Sequence, residues 1–134
     1  VADENPFNGA QMQNSEFARA DMSNAIFDGV QLTGAKFYAV LEHAQFNDCN
    51  MGWVEFDDVN LGNASFNNIN LSGAKLNDIN FSNAHIKNLN LSATIVDSAN
   101  MTGVSITNTK LKGMKIDGVL VSDLFSAYEK NKDT

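Results

Sequence analysis

Only a few side chains in this sequence carry groups suited to chemistry. They are His43 and His85, the single cysteine Cys49, and an acidic run of Glu55, Asp57 and Asp58 that Asp78 repeats further on. Histidine and cysteine could serve nucleophilic catalysis, and clustered carboxylates could hold a hard cation such as calcium. The spacings assemble neither site. No Ser-His-Asp, Cys-His or His-Glu-x-x-His arrangement is present, and on the architecture argued below the histidines stand two coils apart, roughly 10 Å. The chain is therefore expected to be no enzyme and to hold no metal or cofactor. The acidic run reads as a solvated edge and Cys49 as a small buried apolar residue.

What positions these residues is a repeat. A large apolar side chain recurs at every fifth position through Phe7, Met12, Phe17, Met22, Phe27, Leu32 and Phe37. The series slips by one and resumes at Leu41, then runs through Phe46, Met51, Phe56 and Leu61 to Ile116 and Val121, twenty-four centres in all. Two residues before most centres stands a small or apolar side chain, as at Ala20, Ala44, Ala64 and Ala84. Two residues after stands Gly or Asn, as at Gly29, Asn63 and Gly103. Each pentapeptide is thus a short inward-facing strand followed by a turn residue that tolerates positive φ. An α-helical period of 3.6 cannot hold this pattern. Aromatic centres alternate with Met or Leu centres as far as Phe66, so the coil must have an even number of sides, and two sides enclose no core. Four sides give twenty-residue coils, six of them, with ladders Phe7-Phe27-Phe46-Phe66-Ile86-Ile106 and Phe17-Phe37-Phe56-Leu76-Val96-Ile116.

The motif of small residue, Asp or Asn, apolar centre, polar residue and Gly or Asn appears in Ala20-Asp21-Met22-Ser23-Asn24 and in Ala99-Asn100-Met101-Thr102-Gly103. It resembles that of the pentapeptide-repeat family over residues 5–122. The resemblance implies an all-β, right-handed quadrilateral parallel β-helix. It also brings two functional expectations, a homodimer formed through a C-terminal element and a branch that mimics DNA to modulate topoisomerases.

The 134 residues suit a single domain, 1–134, and 43% apolar content is enough for the thin core of a stacked solenoid. A net charge of −7 argues against direct nucleic-acid binding, and no stretch is long and apolar enough to be inserted in a membrane. One cysteine permits no internal disulfide. Five Asn-x-Ser/Thr acceptors inside the repeats (Asn63, Asn70, Asn80, Asn90, Asn100) disfavour the eukaryotic secretory route. A cytoplasmic location is expected; because the chain opens at Val1, a removed targeting peptide would equally allow the periplasm or the thylakoid lumen.

Solenoid ends need cover. Residues 122–130 are expected to form a capping helix, N-capped by Ser122, with Leu124, Phe125 and Tyr128 closing the last coil or meeting a second copy. At the other end Pro6 restricts the entry strand, and residues 1–6 hold no evident cap. The slip at residues 37–41 predicts a distorted corner. The outward column Glu16, Lys36, Glu55, Lys75 should pair along the stack, and the Asn50, Asn70, Asn90 and Asn60, Asn80, Asn100 columns should exchange amide bonds. Apolar residues at outward positions, namely Ile26, Tyr38, Val40, Trp53, Ile95 and Leu120, break the polar surface. Tyr38, Val40 and Trp53 cluster near the slip in sequence and form the candidate protein-binding patch. The expected function is a non-catalytic interaction or scaffold module with a protein partner. The alternative is a DNA mimic acting on a topoisomerase such as DNA gyrase, favoured by ten acids against two bases in residues 1–74 and opposed by the alternating Glu/Lys column.

Overall fold

The computed structural model describes residues 7–132. The expectations for Pro6 and residues 1–6 lie outside them. The chain forms strands β1 (Glu16–Asp21), β2 (Ile26–Asp28), β3 (Lys36–Val40), β4 (Gln45–Asn47), β5 (Glu55–Asn60) and β6 (Ser65–Asn70). It continues with β7 (Lys75–Asn80), β8 (His85–Asn90), β9 (Ile95–Asn100), β10 (Ser105–Thr107), β11 (Lys115–Ile116) and β12 (Val119–Leu120), and ends in helix α1 (Val121–Asn131). Odd-numbered strands stack in the order β1-β3-β5-β7-β9-β11, and even-numbered ones as β2-β4-β6-β8-β10. All of these neighbours are parallel. A parallel ladder between residues one turn apart is a solenoid, and the register gives the turn: Glu55 pairs Lys75, and Ser65 pairs His85. Two narrower faces complete the rectangle, one carrying Gln31, Asn50, Asn70 and Asn90, the other Asn60, Asn80 and Asn100.

The corners explain the five-residue period. A left-handed residue recurs at every fifth position from Gly9 to Gly34 and again from His43 to Gly113. Most of these are Gly, Asn or Asp, whose side chains tolerate positive φ. Between Gly34 and His43 one corner has no such residue. There β1 pairs Ala18 with Tyr38 and Ala20 with Ala39, leaving Arg19 without a counterpart, and the shift recurs between β3 and β5. The slip in the sequence is thus the deletion of one corner residue, and the spacing is restored at Phe46, which pairs with Phe27 and Phe66.

The core is the pair of ladders that the spacing predicts. Phe27 and Phe46 stack with centroids 4.6 Å apart, Phe46 and Phe66 at 4.8 Å, and Phe37 and Phe56 at 5.0 Å. Across the core Phe37 meets Phe27 and Phe46 edge-on. The strand repeat of about 4.8 Å is therefore also a ring-stacking repeat. Beyond Phe66 the rungs become Leu76, Ile86 and Val96, and the final ones, Ile106 and Ile116, are exposed.

The solenoid has about five turns, one fewer than expected. The reason is a reversal: β12 runs antiparallel to β11, pairing Lys115 with Leu120 and Ile116 with Val119. Asp117 and Gly118 both have positive φ, 48° and 81°, as a two-residue hairpin of type I′ requires. Val121 therefore opens α1 instead of centring another side. The helix begins one residue before the expected 122–130 and ends one after. Leu120, half-buried, takes the N-cap position with no side-chain cap, so Ser122 sits within the first turn and does not cap.

Candidate functional site

The outward residues fall into columns, and the columns decide which candidates meet. Tyr38 and Val40 lie on either side of the corner that lacks its left-handed residue. With Arg19, Ala39, Asp58 and Asn60 they line a shallow groove along the Asn60 face. Tyr38 is 45% exposed. Trp53 is elsewhere: it occupies the corner that leads from the Asn50 face to β5, at the far edge of the sheet that carries Tyr38. The proposed patch is thus two anchors flanking one face, with Lys36 and Glu55 paired in register between them. Proximity in sequence to the slip did not reveal this, because position around a coil depends on residue number modulo one turn.

Trp53 is 69% exposed and has φ 61°, a left-handed conformation that a bulky side chain rarely takes. Its indole lies over Gly73, the equivalent corner of the next coil, whose φ is 72°. The rest of this corner column is Asn14, Gly34, Ala93 and Gly113, so on the side of Gly73 the ring stands on a strip with almost no side chains.

The other sequence candidates take structural places. Cys49 is 3% exposed, with its Sγ toward the carbonyls of Phe27 and Asn47. Burial pushes its thiol up from the ordinary range. Asp21 is held below its ordinary value by the Ser23 hydroxyl and N–H, which donate to its carboxylate. His43 is a corner residue and His85 begins β8. Asp58 and Asp78 share a corner column and one groove. Among the described residues no three His, Cys, Asp or Glu side chains come together to hold a metal.

The ladders divide. Asn70 donates to Asn50 at 3.2 Å and Asn80 to Asn60 at 3.1 Å; the Asn50 and Asn60 side-chain oxygens also accept the N–H groups of Gly52 and Gly62, while those of Asn70 and Asn80 accept from Ser72 and Ser82. The charged column is in register as expected, Glu16 with Lys36 and Glu55 with Lys75. It does not close into ion pairs, for among the described residues the one salt bridge is Lys132 with Glu129 at 3.0 Å. Solvated charges on flexible stems gain little by closing.

Sequence reasoning missed two features. Thr94 occupies the small inward position, fully buried, and its hydroxyl donates to the Leu71 carbonyl at 3.0 Å. The signal was a hydroxyl where neighbouring pentapeptides have Ala. The second is the C-terminal end. Val121 is buried, but Leu124, Phe125 and Tyr128 are exposed, so α1 covers the end only in part. Between helix and last coil lies an apolar cleft of about 620 Å³.

These features define a class, a four-cornered parallel β-solenoid. The chain belongs to the pentapeptide repeat family. Residues 4–76 match the family description "Pentapeptide repeat region", and residues 64–103 match "Pentapeptide repeats (8 copies)". No curated protein matches the chain. Among solved structures it is similar to the pentapeptide repeat protein Rfr23 from the cyanobacterium Cyanothece 51142. That alignment has a TM-score of 0.66 and 19% identity, over 81% of this chain and 85% of Rfr23, a likeness of fold. A pentapeptide repeat protein from the Arabidopsis thaliana thylakoid lumen aligns over 92% of this chain and 77% of its own, with TM-score 0.39 and 20% identity. QnrB1, a plasmid-mediated fluoroquinolone resistance protein, aligns over 93% and 92%, with TM-score 0.34 and 18% identity.

Proposed function

We propose that this pentapeptide repeat protein is a non-catalytic interaction module, meeting a protein partner with the face flanked by Tyr38 and Trp53. The observation that carries the reading is the conformation of Trp53. Holding a large aromatic in left-handed backbone costs about 1–2 kcal/mol, at a corner where Asn or Gly would serve the fold without it. A large exposed aromatic maintained against that cost is the residue type that anchors interfaces. Lys36 and Glu55 between the anchors supply a rim of both signs.

The same alternation of sign weighs against a DNA mimic of the gyrase-directed kind, since a mimic needs uniform negative potential along its face. The test is capture from an extract of the native host by immobilised wild type, Trp53→Ala, Tyr38→Ala and a control, Asn88→Ala, on the β2 side. The proposal expects one set of partners held by wild type and control and weakened by both aromatic substitutions. Equal capture by all four proteins would remove it.

A further inference from the structure

The C-terminal end of the solenoid is built to receive something other than α1. In the middle of the stack Phe46, Met51, Phe56 and Leu61 are wholly buried, whereas the final rung, Ile106, Leu111 and Ile116, is left partly open to the cleft. Leu124 and Phe125 of α1 line the same cleft without filling it. Apolar residues dominate both walls, with Glu129 the one charged residue of the lining, and such a surface favours an apolar occupant.

The backbone at this end adds a second requirement. In each earlier coil the N–H of a centre and that of the corner residue two positions later donate to carbonyls of the next coil: Leu91 to Lys110 at 2.8 Å and Ala93 to Lys112 at 2.9 Å. The equivalent groups one coil on, the N–H of Leu111 and of Gly113, meet no acceptor among the described residues. They are strand-edge donors waiting for an acceptor.

Charge supplies the third. The column Gln31, Asn50, Asn70, Asn90 is uncharged until its last member, Lys110. The neighbouring outward column is likewise uncharged at Ser72 and Ser92 and then becomes Lys112. Lysines enter these two columns only beside the open donors.

We infer that this end binds an extended, acidic and apolar segment of a partner protein, lying where a further coil would stand. Its apolar side chains enter the cleft under α1, its carbonyls accept from Leu111 and Gly113, and its carboxylates face Lys110 and Lys112. This surface is separate from the Tyr38 and Trp53 face, and its test leaves that reading untouched. A second copy that offered its own α1 to this cleft fits less well. That helix is not extended, and it carries Asp123 and Glu129 against Lys130, with Lys132 at its C-cap.

The experiment is fluorescence anisotropy with two labelled decapeptides, alternating Leu-Glu and alternating Leu-Lys, titrated with the full chain. The Leu-Glu peptide is expected to bind at micromolar concentration and the Leu-Lys peptide at least about tenfold more weakly. Lys110→Glu with Lys112→Glu, both surface changes, should weaken Leu-Glu binding by about tenfold, while Trp53→Ala should not alter it. The inference is overturned if neither peptide binds, if both bind equally, or if the double lysine variant binds like wild type. It is also overturned if light scattering shows a dimer that Phe125→Asp dissociates, for then a second copy occupies the cleft.

Discussion

The indole of Trp53 lies where a side chain on Gly73 would begin. A methyl group built on Gly73 would stand 2.8 Å from Cε3 and 2.9 Å from Cδ2 and Cζ3 of the ring. The two residues occupy the same corner of successive coils, both in left-handed backbone.

Gly73→Ala should therefore be costlier than Gly113→Ala in the same column. A left-handed alanine alone costs about 1–2 kcal/mol, and here the ring must also move. Gly113→Ala provides the comparison, since its methyl would meet only the Ala93 backbone at 3.7 Å. Urea unfolding is expected to rank Gly73→Ala below Gly113→Ala, and the single tryptophan's emission should shift in the first alone. Conversely, Trp53→Asn places a residue suited to positive φ at the corner and should leave stability equal or higher.

The missing corner between Tyr38 and Ala39 makes insertion a safer change than substitution. Adding one Asn there supplies the left-handed residue that Arg19 and Asp58 provide in the coils before and after. Unfolding should stay cooperative, with a midpoint at or above that of wild type. A loss beyond about 2 kcal/mol would show instead that the shortened corner is locked in by its neighbours.

Asn70 joins the polar groups of two coils, donating to Asn50 and accepting from the Ser72 N–H. Asn70→Ala leaves half-buried partners unmet and should cost about 1–3 kcal/mol. Ser105→Ala, at an exposed position of β10 near the end, should cost less than about 1 kcal/mol. Chemical denaturation of both variants decides the point.

Burial of Cys49 predicts a dependence on alkaline pH. Its thiol titrates higher in the folded chain than in the unfolded one. Between those two values the unfolded state has released a proton that the native state retains, so stability falls as pH rises through that window and is complete below it. Wild type should lose stability relative to Cys49→Ala on going to alkaline pH, and native Cys49 should resist alkylation until denaturant is added. Equal pH profiles would contradict the assignment.

Much of this architecture was legible because a strict spacing is a strong geometric statement. The centres Phe27, Phe46 and Phe66 specify ladder, turn length and sidedness together, and the four-residue step from Phe37 to Leu41 locates the irregular corner. The C-terminal end was not legible for the opposite reason. In the repeat, Gly118 looks like Gly103 or Gly113. Only the added left-handed turn at Asp117 makes it a hairpin, although Asp-Gly between short apolar runs is itself a hairpin signal that the repeat obscured. The apolar face of α1 was evident from Leu124, Phe125 and Tyr128, but its failure to close the end depends on the direction in which β12 delivers the chain. Likewise Trp53 and Tyr38 both flank the slip in sequence yet stand at opposite edges of a sheet in space.

The constant register has a kinetic consequence. Every parallel pairing joins residues nineteen or twenty apart, as in Phe37 with Phe56 and Phe56 with Leu76. Each closure thus carries nearly the same entropic cost, because that cost depends on loop length alone to first order. No long-range pairing must be found before the others. Folding should then resemble the zipping of a one-dimensional lattice from whichever adjacent coils adhere best, which here are those joined by stacked phenylalanines around Phe46. Amide exchange should be slowest in β4, β5 and β6 and quickest in β10 and β11, a gradient running towards the open end.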